Sequence, residues 1–163
     1  MIFVTVGTHE QPFNRLVMAM EDLVVQGIIT ERVVIQAGYA TAVAHHCEVT
    51  DFLSNHDLQQ AMQLAETVVC HGGPATFMQS LALGKRTIVV PRQAAFQEHV
   101  NDHQLTFARQ VEQRGYPLTV VDDVAELATI FTTARDVTHQ LPSHTHEFNH
   151  QLAGAIRRMG VLA

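Results

Sequence analysis

The sequence predicts an α/β domain: a parallel sheet flanked by helices. Three observations carry that expectation. The stretch Thr67 to Gln104 alternates strand and helix signals. A β-branched run, Thr67 to Cys70, meets His71-Gly72-Gly73-Pro74. A helical pattern then spans Ala75 to Leu83 and stops at Gly84, and a second apolar run, Thr87 to Val90, ends on Pro91 before another helix. This is a βαβα unit. The opening Ile2-Phe3-Val4-Thr5-Val6 is continuously apolar, as expected of a parallel strand buried on both faces, and it also ends in a glycine, Gly7. Finally, 163 residues at 47% hydrophobic suit a single domain, 1–163, with a real core.

The elements follow in order. Helix one has an apolar stripe of Phe13, Leu16, Val17, Met20, Leu23 and Val24. A second strand covers Arg32 to Gln36 and ends at Gly38-Tyr39, and a weaker one lies around His45 to Val49. Ser54 followed by Asp57 reads as a capping box for a helix through Met62 and Leu64. After the glycine-rich unit, a helix runs through Leu105, Ala108 and Val111. Leu118 to Val121 is the last strand. Asp123 and Glu126 suit a cap for a helix facing Val124, Leu127, Ile130 and Phe131 inward. A terminal helix, 146–160, places Phe148, Leu152, Ile156 and Met159 on one stripe, for its own domain or for a partner.

Composition narrows the function. A net charge of −6 with scattered Lys and Arg argues against a nucleic-acid surface. Cys47 and Cys70 sit in apolar runs without metal-ligand spacing and read as buried reduced thiols of a cytoplasmic protein. No apolar run approaches the roughly 20 residues that span a bilayer, and Met1 leads straight into a strand rather than a secretory signal.

The turn after Cys70 carries the chemistry. A helix start offers unpaired N–H groups and the positive end of the dipole, so it can hold an anion. Gly72 and Gly73 let a ligand approach the backbone, Pro74 suits the first helical position, and Thr76 adds a hydroxyl. A phosphate or diphosphate is the natural occupant; the bland alternative is a tight turn that binds nothing. The spacing is neither the dinucleotide fingerprint nor the P-loop. Because ligands of open α/β sheets lie at the carboxyl ends of strands, His9, Glu10 and Gln11 would stand beside this turn if their strands are neighbours. Otherwise Thr8 or Gln11 only caps a helix. Phe52 and Leu53, on a loop at the same edge, suit a flat base, or Phe52 staples its own helix.

His99 and His103, four apart, raise metal binding, but Val100 stands where a zinc hydrolase motif needs glutamate. The polar group of His99, Asp102, His103 and Gln104 at this helix start better suits hydrogen bonding to sugar hydroxyls. A hydrolase using His71, His99 and His103 stays as an alternative.

The chain resembles the small, donor-binding subunit of two-component UDP-sugar glycosyltransferases. The likeness rests on V-T-V-G-T-H-E-Q-P-F-N-R-L, T-D-F-L, H-G-G-P-A-T, L-A-L-G-K, I-V-V-P-R and E-H-V-N-D-H-Q, and is greatest to the bacterial exopolysaccharide and capsule branch. The resemblance implies a Rossmann-like domain equivalent to the C-terminal half of a GT-B glycosyltransferase. It implies phosphate binding by Gly7, Thr8, Gly72, Gly73, Ala75 and Thr76, uridine binding by Phe52, Leu53 and Gln79, and donor-sugar contacts from Glu98, His103 and Gln104. Gln79 departs from the glutamate usual in relatives, which leaves a non-catalytic nucleotide-sugar-binding module as an alternative. The implied reaction is inverting hexosyl transfer from a UDP-sugar to a polyprenyl-linked sugar, with His9 as candidate base and no metal. The implied partner is a membrane-associated acceptor-binding subunit, which would recruit this chain to the inner face of the membrane.

Overall fold

The structure is a computed structural model that describes residues 1–133. The twelve elements run β1 (Ile2–Thr5), α1 (Asn14–Val25), β2 (Val33–Gln36), β3 (Glu48–Thr50), α2 (Asn55–Leu64), β4 (Thr67–Cys70), α3 (Pro74–Ala82), β5 (Arg86–Val89), a short 3-10 turn (Ala94–Phe96), α4 (His103–Gln113), β6 (Leu118–Val120) and α5 (Glu126–Thr132). The six strands form one sheet in the order β3-β2-β1-β4-β5-β6, and every neighbouring pair is parallel.

The apolar strands explain the layering. All four residues of β1 and of β4 are buried, because side chains alternate across a sheet and both faces here are covered. Leu16, Val17, Met20 and Leu23 of α1 join Leu127 of α5 in one core with Ile2, Val4 and Ile35. Met62 of α2, Phe77 and Leu81 of α3, and Ala108 and Val111 of α4 join Phe3, Val68 and Val89 in the other. Thus α1 and α5 cover one face and α2, α3 and α4 the opposite one.

The order of strands fixes where a ligand would go. From β1 the chain winds outward to β2 and β3, then returns across the sheet to pair β4 with the other side of β1. The connections after β1 and β4 therefore leave in opposite directions and open a crevice at the carboxyl edge.

Local signals behave as their chemistry dictates, with three differences. Ser54 caps α2, accepting from the Asp57 amide at 3.1 Å, and Pro74 opens α3 after Gly73. The weak third strand covers Glu48–Thr50 rather than His45 to Val49. The amides of His45 and His46 donate instead to Glu21 Oε1, at 2.8 and 3.0 Å, so they are lost to the ladder. Nor do Asp123 and Glu126 form a capping box: α5 starts behind Ala125 with no side-chain cap. Asp123 Oδ1 accepts from Ala125 N at 3.0 Å, one residue before the helix. Finally, neither Thr8 nor Gln11 caps α1, whose N-cap is Phe13. The terminal helix over 146–160 lies outside the described residues.

Candidate functional site

The β1–β4 pairing continues past the strands, with His71 N donating to Thr5 O at 3.1 Å. The loop Gly7 to Gln11 is thereby held against His71-Gly72-Gly73 and the start of α3. Gly7 is left-handed, φ 77°, a conformation that costs side-chain-bearing residues more than glycine. Its N–H donates to Thr5 Oγ1 at 3.2 Å. Gln36 Nε2 donates to Gly7 O at 3.2 Å and to Asp51 O at 3.3 Å, so one buried amide joins the first loop to the one bearing Phe52.

The glycines of the turn serve a neighbour as well as an approaching ligand. A Cβ on Gly73 would lie 2.4 Å from His71 Nε2, and one on Gly7 2.6 Å from His71 Cε1. A Cβ on Gly72 would lie 2.8 Å from that of Gln104. The imidazole of His71 thus fills a slot between two glycines, with Nδ1 buried and making no hydrogen bond of good geometry. Burial, followed by the Arg92 charge, lowers its pKa to about 4.

That shift has a sign. An unfolded His71 protonates as pH falls below about 6.5, whereas the folded one stays neutral until about 4. Its contribution is complete above 6.5 and is lost between 6.5 and 4. The native protein should lose roughly 2 kcal/mol from this group between pH 7 and pH 5. Urea melts of the native chain and of His71→Asn should show a steeper pH dependence for the former; parallel curves would refute it.

Three more imidazoles line the crevice. His9 and His99 stack with centroids 4.5 Å apart, and His103 meets His99 edge-on at 4.6 Å. His9 Nε2 lies 2.9 Å from Gln11 Oε1. Among the described residues no group of three or more His, Cys, Asp or Glu is placed to hold a metal ion.

Arg92, to which the sequence assigns no role, is the largest fully buried side chain among the described residues. Its Nε and Nη2 donate to Val6 O at 3.3 and 2.8 Å, and Nη1 donates to Gln11 O at 2.6 Å and Glu98 O at 3.0 Å. Burial lowers its pKa to about 10, opposed by Glu98, so it remains a cation at neutral pH. A visible signal was an arginine directly after the proline that ends a buried strand. Arg15 is the second omission. It grips Glu98 with Nε to Oε1 at 3.0 Å and Nη2 to Oε2 at 2.9 Å.

The residues singled out by sequence divide accordingly. Gly7, Gly72 and Gly73 meet at the crevice, with Thr76 in the first turn of α3. Thr8 and Ala75 are exposed and Gln79 is half-buried on α3. Glu98 is only 3% exposed, its carboxylate committed to Arg15 and to Gln93 N. Gln104 is buried with Oε1 unpartnered, while His103 is exposed. Phe52 is 49% exposed and meets Tyr39 edge-on at 5.2 Å. It does not occupy the staple position, where Leu53 stands, packed against the same core as Leu58.

A parallel sheet of this order with glycine-bounded loops at its switch point defines a Rossmann-like domain of the type found in GT-B glycosyltransferases. The chain belongs to the glycosyltransferase family 28 C-terminal domain family, whose model matches residues 1–158. It is 28% identical over 159 residues to the UDP-N-acetylglucosamine transferase subunit ALG13 of Mus musculus, covering 88% of this chain and 13% of that protein. It is 28% identical over 124 residues to the Homo sapiens protein of the same name, covering 71% and 10%. It therefore spans only a small part of these relatives. Among solved structures, the glycotransferase of kitacinnamycin matches with a TM-score of 0.66 at 18% identity, over 96% of this chain and 42% of that one; this likeness concerns the fold. Among the described residues no helix is long and apolar enough to cross a membrane.

Proposed function

We propose that the chain is the donor-binding, catalytic subunit of a UDP-sugar-dependent hexosyltransferase. It would act in an inverting transfer to a polyprenyl-linked sugar during exopolysaccharide or capsule synthesis. The observation that carries this reading is the adjacency of β1 and β4, which sets the Gly7 loop against the Gly72-Gly73 turn and the start of α3. Backbone N–H groups at a helix start and a buried guanidinium behind them suit a diphosphate. Gly7, Thr8, Gly72, Gly73, Ala75 and Thr76 would hold it. Phe52 and Leu53 would receive the base and Gln79 the ribose, with one donor and one acceptor from its amide. His103 and Gln104 would meet the donor sugar. Glu98 would act on it only through the loop that Arg15 and Glu98 fix together.

In the reaction, an acceptor hydroxyl oxygen bonds to the anomeric carbon as that carbon's bond to the β-phosphate oxygen breaks. UDP leaves with the electron pair. Gln11 Oε1 accepts the Nε2 proton of His9 in this tautomer, which leaves Nδ1 free to take the hydroxyl proton. Donors fixed in advance around the leaving diphosphate would offset its growing charge without a metal. The sheet supplies one wall of a cleft; a membrane-associated acceptor-binding subunit would supply the other and recruit this chain to the inner face of the membrane.

Calorimetry of the full chain with UDP tests the reading, and absence of binding overturns it. His9→Ala should leave affinity at pH 8 within a few-fold, yet slow transfer by about 100-fold or more when assayed with the co-expressed partner. Equal rates would remove His9 from catalysis. Gln79, in place of an acid, favours a second reading, a nucleotide-sugar-binding subunit without catalysis. Binding with no turnover alongside the partner would select it.

A further inference from the structure

Three imidazoles, His9, His99 and His103, line one crevice and a fourth, His71, sits in the slot behind its turn, and the proposed reaction uses only one as a base. His99 is the centre of the group: it is stacked on His9 at 4.5 Å and met edge-on by His103 at 4.6 Å. We propose that His9, His99, His103 and His71 form a proton-linked anion strip, in which binding of the donor's diphosphate draws protons onto the imidazoles, with His99 as the binding residue that links them. The inference rests on the donor-binding reading above and adds a regulation to it.

The charges around the strip support this. On the loop after β5, Arg92 stands buried behind it, and its positive charge opposes protonation of both His71 and His99. The one buried carboxylate on that loop, Glu98, is already matched by Arg15 of α1. Asp102, at the start of α4, spends Oδ1 on Ala94 N at 2.7 Å. Asn101, neutral, contacts His103 Nδ1. On the loop after β1, Gln11 is neutral and Glu10 is exposed. On the turn after β4, His71 brings no negative charge. The ordinary range of His99, at the centre of the strip, is pushed down by burial, then by His9, His103 and Arg92. What these groups lack is an anion. A diphosphate in the crevice supplies one, raises the proton affinity of the imidazoles, and so binds more tightly where protons are available. The linkage runs one way: affinity increases as pH falls, by at most tenfold per pH unit for each proton taken up.

The experiment uses the full chain and UDP-N-acetylglucosamine, whose phosphates are both esterified and do not titrate near neutrality. Calorimetry between pH 6 and pH 8, in buffers of differing ionisation enthalpy, reads affinity and protons together. The expected result is binding about fivefold or more tighter at pH 6 than at pH 8, with net proton uptake. In His99→Phe, which keeps the stack but cannot titrate, the slope of affinity with pH and the proton uptake should both fall. His99→Asn serves as a second variant. Native affinity that is flat with pH, or an unaltered slope in both variants, overturns the inference while leaving the donor-binding reading intact. No binding at any pH overturns both.

Discussion

Replacing Gly73 with valine should abolish UDP binding and leave the domain folded. The backbone at this position, φ −69° and ψ 120°, suits any residue, so the substitution brings no strain of its own. The obstacle is the His71 ring, with Nε2 2.4 Å from where the new Cβ would stand. A ring is the free end of a side chain and can turn away, but the slot between Gly7 and Gly73 is then closed to it. The direction left open is the crevice itself, where it would stand before the first amides of α3. UDP affinity should fall by about 100-fold or more, some 2.7 kcal/mol, while the urea midpoint moves by no more than about 1 kcal/mol equivalent. Calorimetry and urea melts on one preparation separate the two effects. Unchanged affinity would remove the turn from the binding site. The same change at Gly7 is a poorer test, since φ 77° adds backbone strain to the clash.

The contrast between Gly73 and Arg92 marks how far residue patterns reach. Strand runs, the Ser54 cap and Pro74 at the head of α3 are local, and neighbours within four residues decide them. The switch point was legible conditionally: two glycine-ended strands were visible, and their adjacency came only with the sheet order. What escaped depends on contacts far apart in sequence. Arg92 bonds to Val6 O across 86 residues and Arg15 to Glu98 across 83. No periodicity announces an ion pair of that span. Glu98 shows the consequence: the family resemblance implies a donor-sugar contact for it, whereas its carboxylate is consumed within the protein by Arg15 and Gln93 N. His71 is similar. Its companion Gly73 reads as an opening for a ligand, but the ring that stands between Gly73 and Gly7 is set by the pairing of two distant strands.

Arg92→Met should be the most destabilising single change at this edge of the sheet. Methionine is close in length, so the volume is largely kept and the loss is one of hydrogen bonds. Three backbone carbonyls, those of Val6, Gln11 and Glu98, would lose the guanidinium donors that now meet them, and buried acceptors left unpaired cost about 1–3 kcal/mol each in the worst case. Glu98 and Arg15 remain paired, which limits the electrostatic part. The expected loss is on the order of 3–5 kcal/mol, read as a lower urea midpoint with an unchanged slope. Arg92→Lys should recover only part of it, because a single ammonium on a flexible stem cannot reproduce a planar fork bonded to three carbonyls. The same carbonyls belong to the residue that follows β1, the loop between β1 and α1, and the loop before α4. In either variant UDP affinity should therefore weaken even under conditions where the chain is fully folded. A loss below about 1 kcal/mol in Arg92→Met would show that these loops are held by the strands alone. The guanidinium would then be a passenger in the core, not the clamp that sets one wall of the cleft.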